Sequence, residues 1–193
     1  MPISPTAASL FFGAVAIGSL AFAFSVVEGI FVLRFSRWLF GIGPCILRAR
    51  TTLPRPHLSM LDRPAQVTGE GCFKVLGTEE VLFRRKERLF GYRWHTPFPM
   101  KGRVRWEGRD AVIEARLSLG GILFYCAWLL AITIWCAITW NDPPTQAWAR
   151  APWILVGGWL FGAAIVLWSV WYETNLARRI VSELTQALTK AAA

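Results

Sequence analysis

Three stretches of the chain stay apolar over lengths that soluble elements rarely reach. Residues 10–27 are 18 uncharged, mostly apolar positions, and the pattern continues past Glu28 to Leu33; residues 117–140 and 151–171 carry no acidic or basic side chain. About 20 helical residues cross roughly 30 Å of hydrocarbon. The pattern therefore predicts three transmembrane helices, over residues 8–33, 117–140 and 151–171. Residues 141–150, which include Asn141, Asp142, Pro143 and Pro144, have the chemistry of a tight exposed loop, and the prolines cannot continue a helix. The second and third helices are thus expected to form an antiparallel hairpin.

Between the first and second spans the period shortens. Phe90, Tyr92 and Trp94 alternate with Gly91, Arg93 and His95, Val104 and Trp106 with Arg103 and Arg105, and Ile113 and Ala115 with Val112, Glu114 and Arg116. Period two marks strands with one buried face. Turn residues at 69–71, 77–78, 86–87, 97–99 and 107–110 separate about five or six strands, read as an antiparallel meander closing toward a small barrel or sandwich. Before this domain, residues 35–47 are apolar but short and broken by Gly41, Gly43 and Pro44. They read as a segment lying on the membrane surface, and residues 51–64, with three prolines, as a stiff linker.

The last stretch has a helical period. Leu176, Ile180, Leu184 and Leu188 recur at steps of four, with Arg178, Arg179, Ser182, Glu183, Gln186 and Lys190 largely opposite, which predicts an amphipathic helix that docks on protein or lies on the membrane. The fold class is an integral membrane α-helical protein with a small inserted antiparallel β domain. Its divisions are 1–34 (N-terminal segment and first span), 35–64 (interfacial segment and linker), 65–116 (basic β domain), 117–171 (transmembrane hairpin) and 172–193 (C-terminal amphipathic helix).

Charge fixes the expected orientation. The chain has 193 residues and a formal charge of +9, and 17 of its 21 Lys and Arg lie between positions 34 and 116. The positive-inside rule then puts the β domain and the C-terminus in the cytoplasm and the N-terminus and the 141–150 loop outside, as expected of a bacterial inner (plasma) membrane protein. Residues 1–9 contain no Lys or Arg, so they lack the basic start of a secretory signal, and the first helix is expected to be retained.

Several groups stand out as candidates. Glu28 is the strongly ionisable residue inside a span, and a buried carboxylate needs a partner, water or a proton; it either pairs near the interface or serves ion passage or subunit recognition. Ala14, Gly18, Ala21 and Ser25 put small side chains on one face of the first helix, and Gly158 and Gly162 form a small-xxx-small step in the third, both suited to helix packing. Arg84, Arg85, Lys86, Arg88, Arg103, Arg105 and Arg109 form a candidate basic face for anionic lipid headgroups. Leu176, Ile180, Leu184 and Leu188 are the candidate docking stripe.

Catalytic patterns are not found. His57 and His95 are 38 positions apart, Gly69-Glu70-Gly71-Cys72-Phe73-Lys74 has the wrong spacing for a phosphate-binding loop, and Cys45, Cys72, Cys126 and Cys136 form no CxxC pair. The sequence therefore points to a non-enzymatic accessory or assembly subunit without cofactor or metal. Its expected partners are membrane lipids and a membrane protein or a second copy, not nucleic acid. An anionic-lipid-binding surface module and a minor transporter or channel subunit using Glu28 are the rival expectations.

Overall fold

The computed structural model describes residues 5–56, 64–86, 96, 98–140 and 147–192. It contains three long helices, α1 (Pro5–Leu33), α2 (Leu119–Trp140) and α3 (Ala147–Ala192), each long and apolar enough to cross a membrane. A six-stranded antiparallel sheet is inserted between α1 and α2, with strands β1 (Cys45–Thr51), β2 (Gln66–Val67), β3 (Gly71–Gly77), β4 (Glu80–Arg85), β5 (Met100–Glu107) and β6 (Asp110–Leu117). The chain divides into two compact units, one of Met1–Val27 with Gly120–Trp168 and one of Glu28–Leu119 with Ser169–Ala193.

In the first unit the helices meet through small residues and rings. A Cβ on Gly162 would run into the Tyr125 hydroxyl and Leu129, and one on Gly158 would touch Ile132. Trp159 Nε1 donates to Thr133 Oγ1 at 3.3 Å, and the Phe22 and Phe124 rings lie 5.6 Å apart. On α1, Ala14 is buried and Gly18, Ala21 and Ser25 are half-buried, whereas Val15, Ile17, Leu20 and Phe22 are exposed. A Cβ on Gly18 would meet nothing, so the close approach seen at Gly162 is not repeated at Gly18.

The second unit is built on the sheet, whose spatial order is β1-β6-β5-β4-β3-β2. Strands β2 to β6 form the expected meander. It does not close into a barrel or sandwich: among the described residues β1 and β2 are the two edges of one open sheet. Closure is not needed to shield its apolar groups, because both faces are covered by other parts of the chain. The β5–β6 hairpin turns on Gly108 and Arg109, with positive φ at Gly108 alone, as a two-residue type II′ turn requires. Gly102 lies opposite Phe83 in the register, and a Cβ there would enter the Phe83 ring.

Strand β1 corrects, for Cys45–Thr51, the reading of residues 35–64 as surface segment and linker. It pairs with β6, Leu47 opposite Ala115 and Arg48 opposite Glu114, and cross-strand ion pairs of Arg48 with Glu114 and Arg50 with Asp110 reinforce the match. Some of the residues before it are enclosed by the chain itself. Phe35, Leu39 and Phe40 are buried, with Phe35 and Phe40 packed in a cluster with Cys72 and Leu82, while Trp38 remains exposed. Burying these rings removes apolar area from water, at about 25 cal/mol per Å².

The bend that allows this is a helix stop. Ser36 N–H donates to Phe31 O and Phe35 N–H to Val32 O, the paired bonds of a Schellman ending. Phe35 takes the left-handed position with φ 56°, where glycine is usual. A non-glycine residue there costs about 1–2 kcal/mol. The ring offsets it by stacking on Phe40 at 5.9 Å, beneath the Arg84 guanidinium at 5.1 Å.

The C-terminal amphipathic helix is not a separate element, as expected, but the second half of α3. Residues 163–192 contain neither Gly nor Pro, so nothing stops the helix at 171. Leu176, Ile180, Leu184 and Leu188 are all buried within the second unit. Ile180 occupies the space over Gly71, and Glu183 accepts the Glu70 N–H at 3.2 Å.

Candidate functional site

The second unit is organised around two buried carboxylates carried by long helices. Glu28 lies in the last turns of α1 and is 1% exposed. Lys101 on β5, Ser118 Oγ at 2.8 Å and the Leu119 N–H at 3.1 Å all donate to it. Leu119 is the first residue of α2, so the carboxylate satisfies one of the helix's orphan amides and sits at the positive end of its dipole. Period two sends the Lys101 side chain to the sheet face shared by Arg84 and Arg103. It too is 1% exposed. Burial pushes the Lys101 ammonium below its ordinary value, and the hydrogen bond and charge of Glu28 pull it back up.

Glu173 on α3 repeats the arrangement on the other face. It is fully buried and accepts from Thr96 Oγ1, from Arg85 Nη1 at 3.5 Å and from the Met100 N–H at 3.3 Å. Arg85 is opposite in orientation to Arg84 along β4, and its guanidinium also lies 5.5 Å from the Tyr172 ring centre. Each carboxylate thus takes one cation, one hydroxyl and one backbone N–H. A buried charge needs such complete matching to be tolerated. A cavity of about 40 Å³ is lined by Glu28, Arg84, Arg85, Met100, Lys101 and Ser118; it has room for about two or three waters and not for a metabolite.

Two members of the candidate basic face, Arg103 and Arg105, are committed to carboxylates within the sheet. Arg103 makes two hydrogen bonds to Glu114, at 3.0 and 2.8 Å, and Arg116 joins at 3.3 Å. Glu80 takes Arg105 at 3.2 Å and Arg37 at 2.5 Å. Burial opposes the charge on Glu114, yet Arg103 and Arg116 outweigh it and hold the carboxyl below its ordinary value of 4.5. Arg85 faces the other way toward Glu173, Arg84 lies over Phe35, Lys86 is half-buried, and Arg109 is exposed in the hairpin. Arg88 lies outside the described residues, as do His57, His95, the alternation at 90–95 and residues 141–146.

Among the described residues no group of three or more His, Cys, Asp and Glu could hold a metal ion. Cys72 is buried in β3, and burial raises its thiol above the ordinary value despite Arg84 and Lys86 nearby. Such a thiol is a weak nucleophile at neutral pH.

Glu28 was visible in the sequence; its partners were not. Lys101 reads as one more exposed alternating cation until the end of α1 is laid across it. Glu173 did leave a signal, since it falls three residues before Leu176 and continues the stripe through Ile180 and Leu184. Comparison of the chain with protein-family models, curated proteins and solved structures gives no match.

Proposed function

We propose that the chain is a non-enzymatic accessory or assembly subunit of a membrane. Its three apolar helices span the bilayer, and the sheet with the second half of α3 stands at the cytoplasmic surface, the side favoured by 17 basic residues between positions 34 and 116. The observation that carries the reading is the saturation of Glu28 and Glu173. Both carboxylates are occupied in holding helices to the sheet, a structural use that leaves neither poised for proton transfer or ion passage. Of the arginines that suggested an anionic-lipid surface, Arg103 is paired with Glu114, Arg105 with Glu80 and Arg85 with Glu173, which favours the subunit reading over that rival.

The test is purification of the full chain from native membranes in mild detergent with mass spectrometry of what co-migrates. A membrane-protein partner at fixed stoichiometry, or a second copy, is the expected result; a chain that runs alone as a monomer overturns the reading. Orientation is checked in a cysteine-free background. A cysteine introduced at Thr145 reacts with an impermeant thiol reagent in intact cells, and one introduced at Gly108 does not.

A further inference from the structure

Trp171 is the last exposed apolar side chain of α3, 64% accessible. Immediately after it a groove of about 240 Å³ opens, walled by Trp171, Tyr172, Asn175, Leu176 and Arg179 from the helix and by Glu70 from the turn between β2 and β3. Trp171, Asn175 and Arg179 follow at steps of four, so they share one helix face. The opposite wall is anchored to the same helix, since the Glu70 N–H donates to Glu183 at 3.2 Å, and to the residue that follows β4, since the Glu70 carbonyl accepts from Lys86 N–H at 2.9 Å. Arg179 is exposed and makes no ion pair among the described residues.

The chemistry of this groove is bipolar. At one side a guanidinium fork and a carboxamide supply donors matched to a phosphodiester. At the other a carboxylate, with about four lone-pair positions, can accept from a ligand ammonium beside any protein donor. Trp and Tyr are the side chains that rest at headgroup level. The volume falls below the roughly 300–1,000 Å³ of pockets for drug-sized molecules and suits a headgroup. We propose that the groove binds the headgroup of an ethanolamine phospholipid, with Arg179 and Asn175 on the phosphate, Glu70 on the ammonium, and Trp171 and Tyr172 beside the glycerol. This rests on α3 spanning a bilayer.

The full chain is placed in nanodiscs of equal parts ethanolamine and glycerol phospholipid. Incorporation tests the spanning reading alone, and failure to incorporate overturns that reading whatever the groove does. Lipid retained on release into detergent is then counted by native mass spectrometry. The ethanolamine lipid is expected to be retained at least about tenfold over the glycerol lipid, the ratio of a single charge-assisted contact. Arg179→Gln removes most of that retention, Glu70→Gln abolishes the preference between the lipids, and Arg178→Gln, the exposed neighbour outside the groove, changes nothing. Asn175→Leu serves as a second loss of phosphate contact should Arg179→Gln fail to fold. Equal retention of both lipids by the unaltered chain, undiminished retention by the folded Arg179 or Asn175 variant, or displacement of the lipid by inorganic phosphate overturns the proposal.

Discussion

Glu28 and Glu173 grip consecutive residues of one strand from opposite faces of the sheet: Glu28 takes the Lys101 ammonium, and Glu173 takes the N–H of Met100. The start of β5 is therefore the point where α1, α3 and the sheet are joined. Its neighbours enter the same joint, since Pro99 O accepts the Ser118 N–H at 3.1 Å and Ser118 donates to Glu28.

Removing one charge from the α1 side of this joint exposes its energetic weight. Glu28→Gln keeps the shape but leaves Lys101 buried without a counter-charge, and breaking a buried pair in this way costs about 3–5 kcal/mol. Glu28→Gln with Lys101→Met should regain much of the loss, because no isolated charge remains. Denaturant unfolding of the detergent-solubilised chain measures both, and a Glu28→Gln variant as stable as the parent would contradict the assignment.

Acid should weaken the sheet through Glu114. Its carboxyl is held below the ordinary 4.5 in the folded chain, so the folded state binds a proton less readily than the unfolded one. Its stabilisation is complete above the unfolded value and is lost as pH falls through the folded value. The stability gap between the parent and Glu114→Gln should be widest near pH 7 and shrink on acidification below about 4.5. Unfolding curves recorded across this range decide it; a gap independent of pH would count against the ion-pair cluster.

The second half of α3 is held by burial. Leu184 is fully enclosed, and truncating such a leucine costs about 2–5 kcal/mol. Leu184→Ala should loosen residues 173–192 and make them cleavable by protease under conditions in which the parent resists. Gln186→Ala, at an exposed position of the same helix, should leave the digestion pattern unchanged.

Two glycines that look equivalent in the sequence should behave differently. Gly162→Ala drives a methyl into Tyr125 and Leu129, and overpacking of this kind costs about 1–3 kcal/mol. Gly18→Ala meets open space and should be neutral or stabilising by up to about 1 kcal/mol. Thermal unfolding in detergent compares them, and Tyr125→Phe should relieve part of the Gly162→Ala penalty.

The long periods of the chain were legible because one helix or strand carries its own signal. Three apolar helices and the β5–β6 hairpin follow from runs and alternation, and turn residues mark off the other strands of the meander. What eluded sequence reasoning depends on contacts between distant segments. Phe35 and Phe40 resemble membrane-surface aromatics until Leu82 and Cys72 are placed beside them, and β1 has its partner 60 or more residues away on β6. The break expected at 171 failed for a local reason: residue polarity changes there, but no residue ends the helix. Likewise, Arg103 and Arg105 announce a basic surface only while Glu114 and Glu80 are read as separate residues.

The joint at β5 also fixes an order in time. A chain made from its N-terminus presents Glu28 some seventy residues before Lys101 and ninety before Ser118, so the first helix must wait, hydrated or protonated, until the sheet has been synthesised. Arg85 waits in the same way, for Glu173 is 88 residues downstream. The last long helix therefore acts as the closing step of biogenesis, and a ribosome stalled before residue 173 leaves a sheet whose buried arginine has yet to meet its acid.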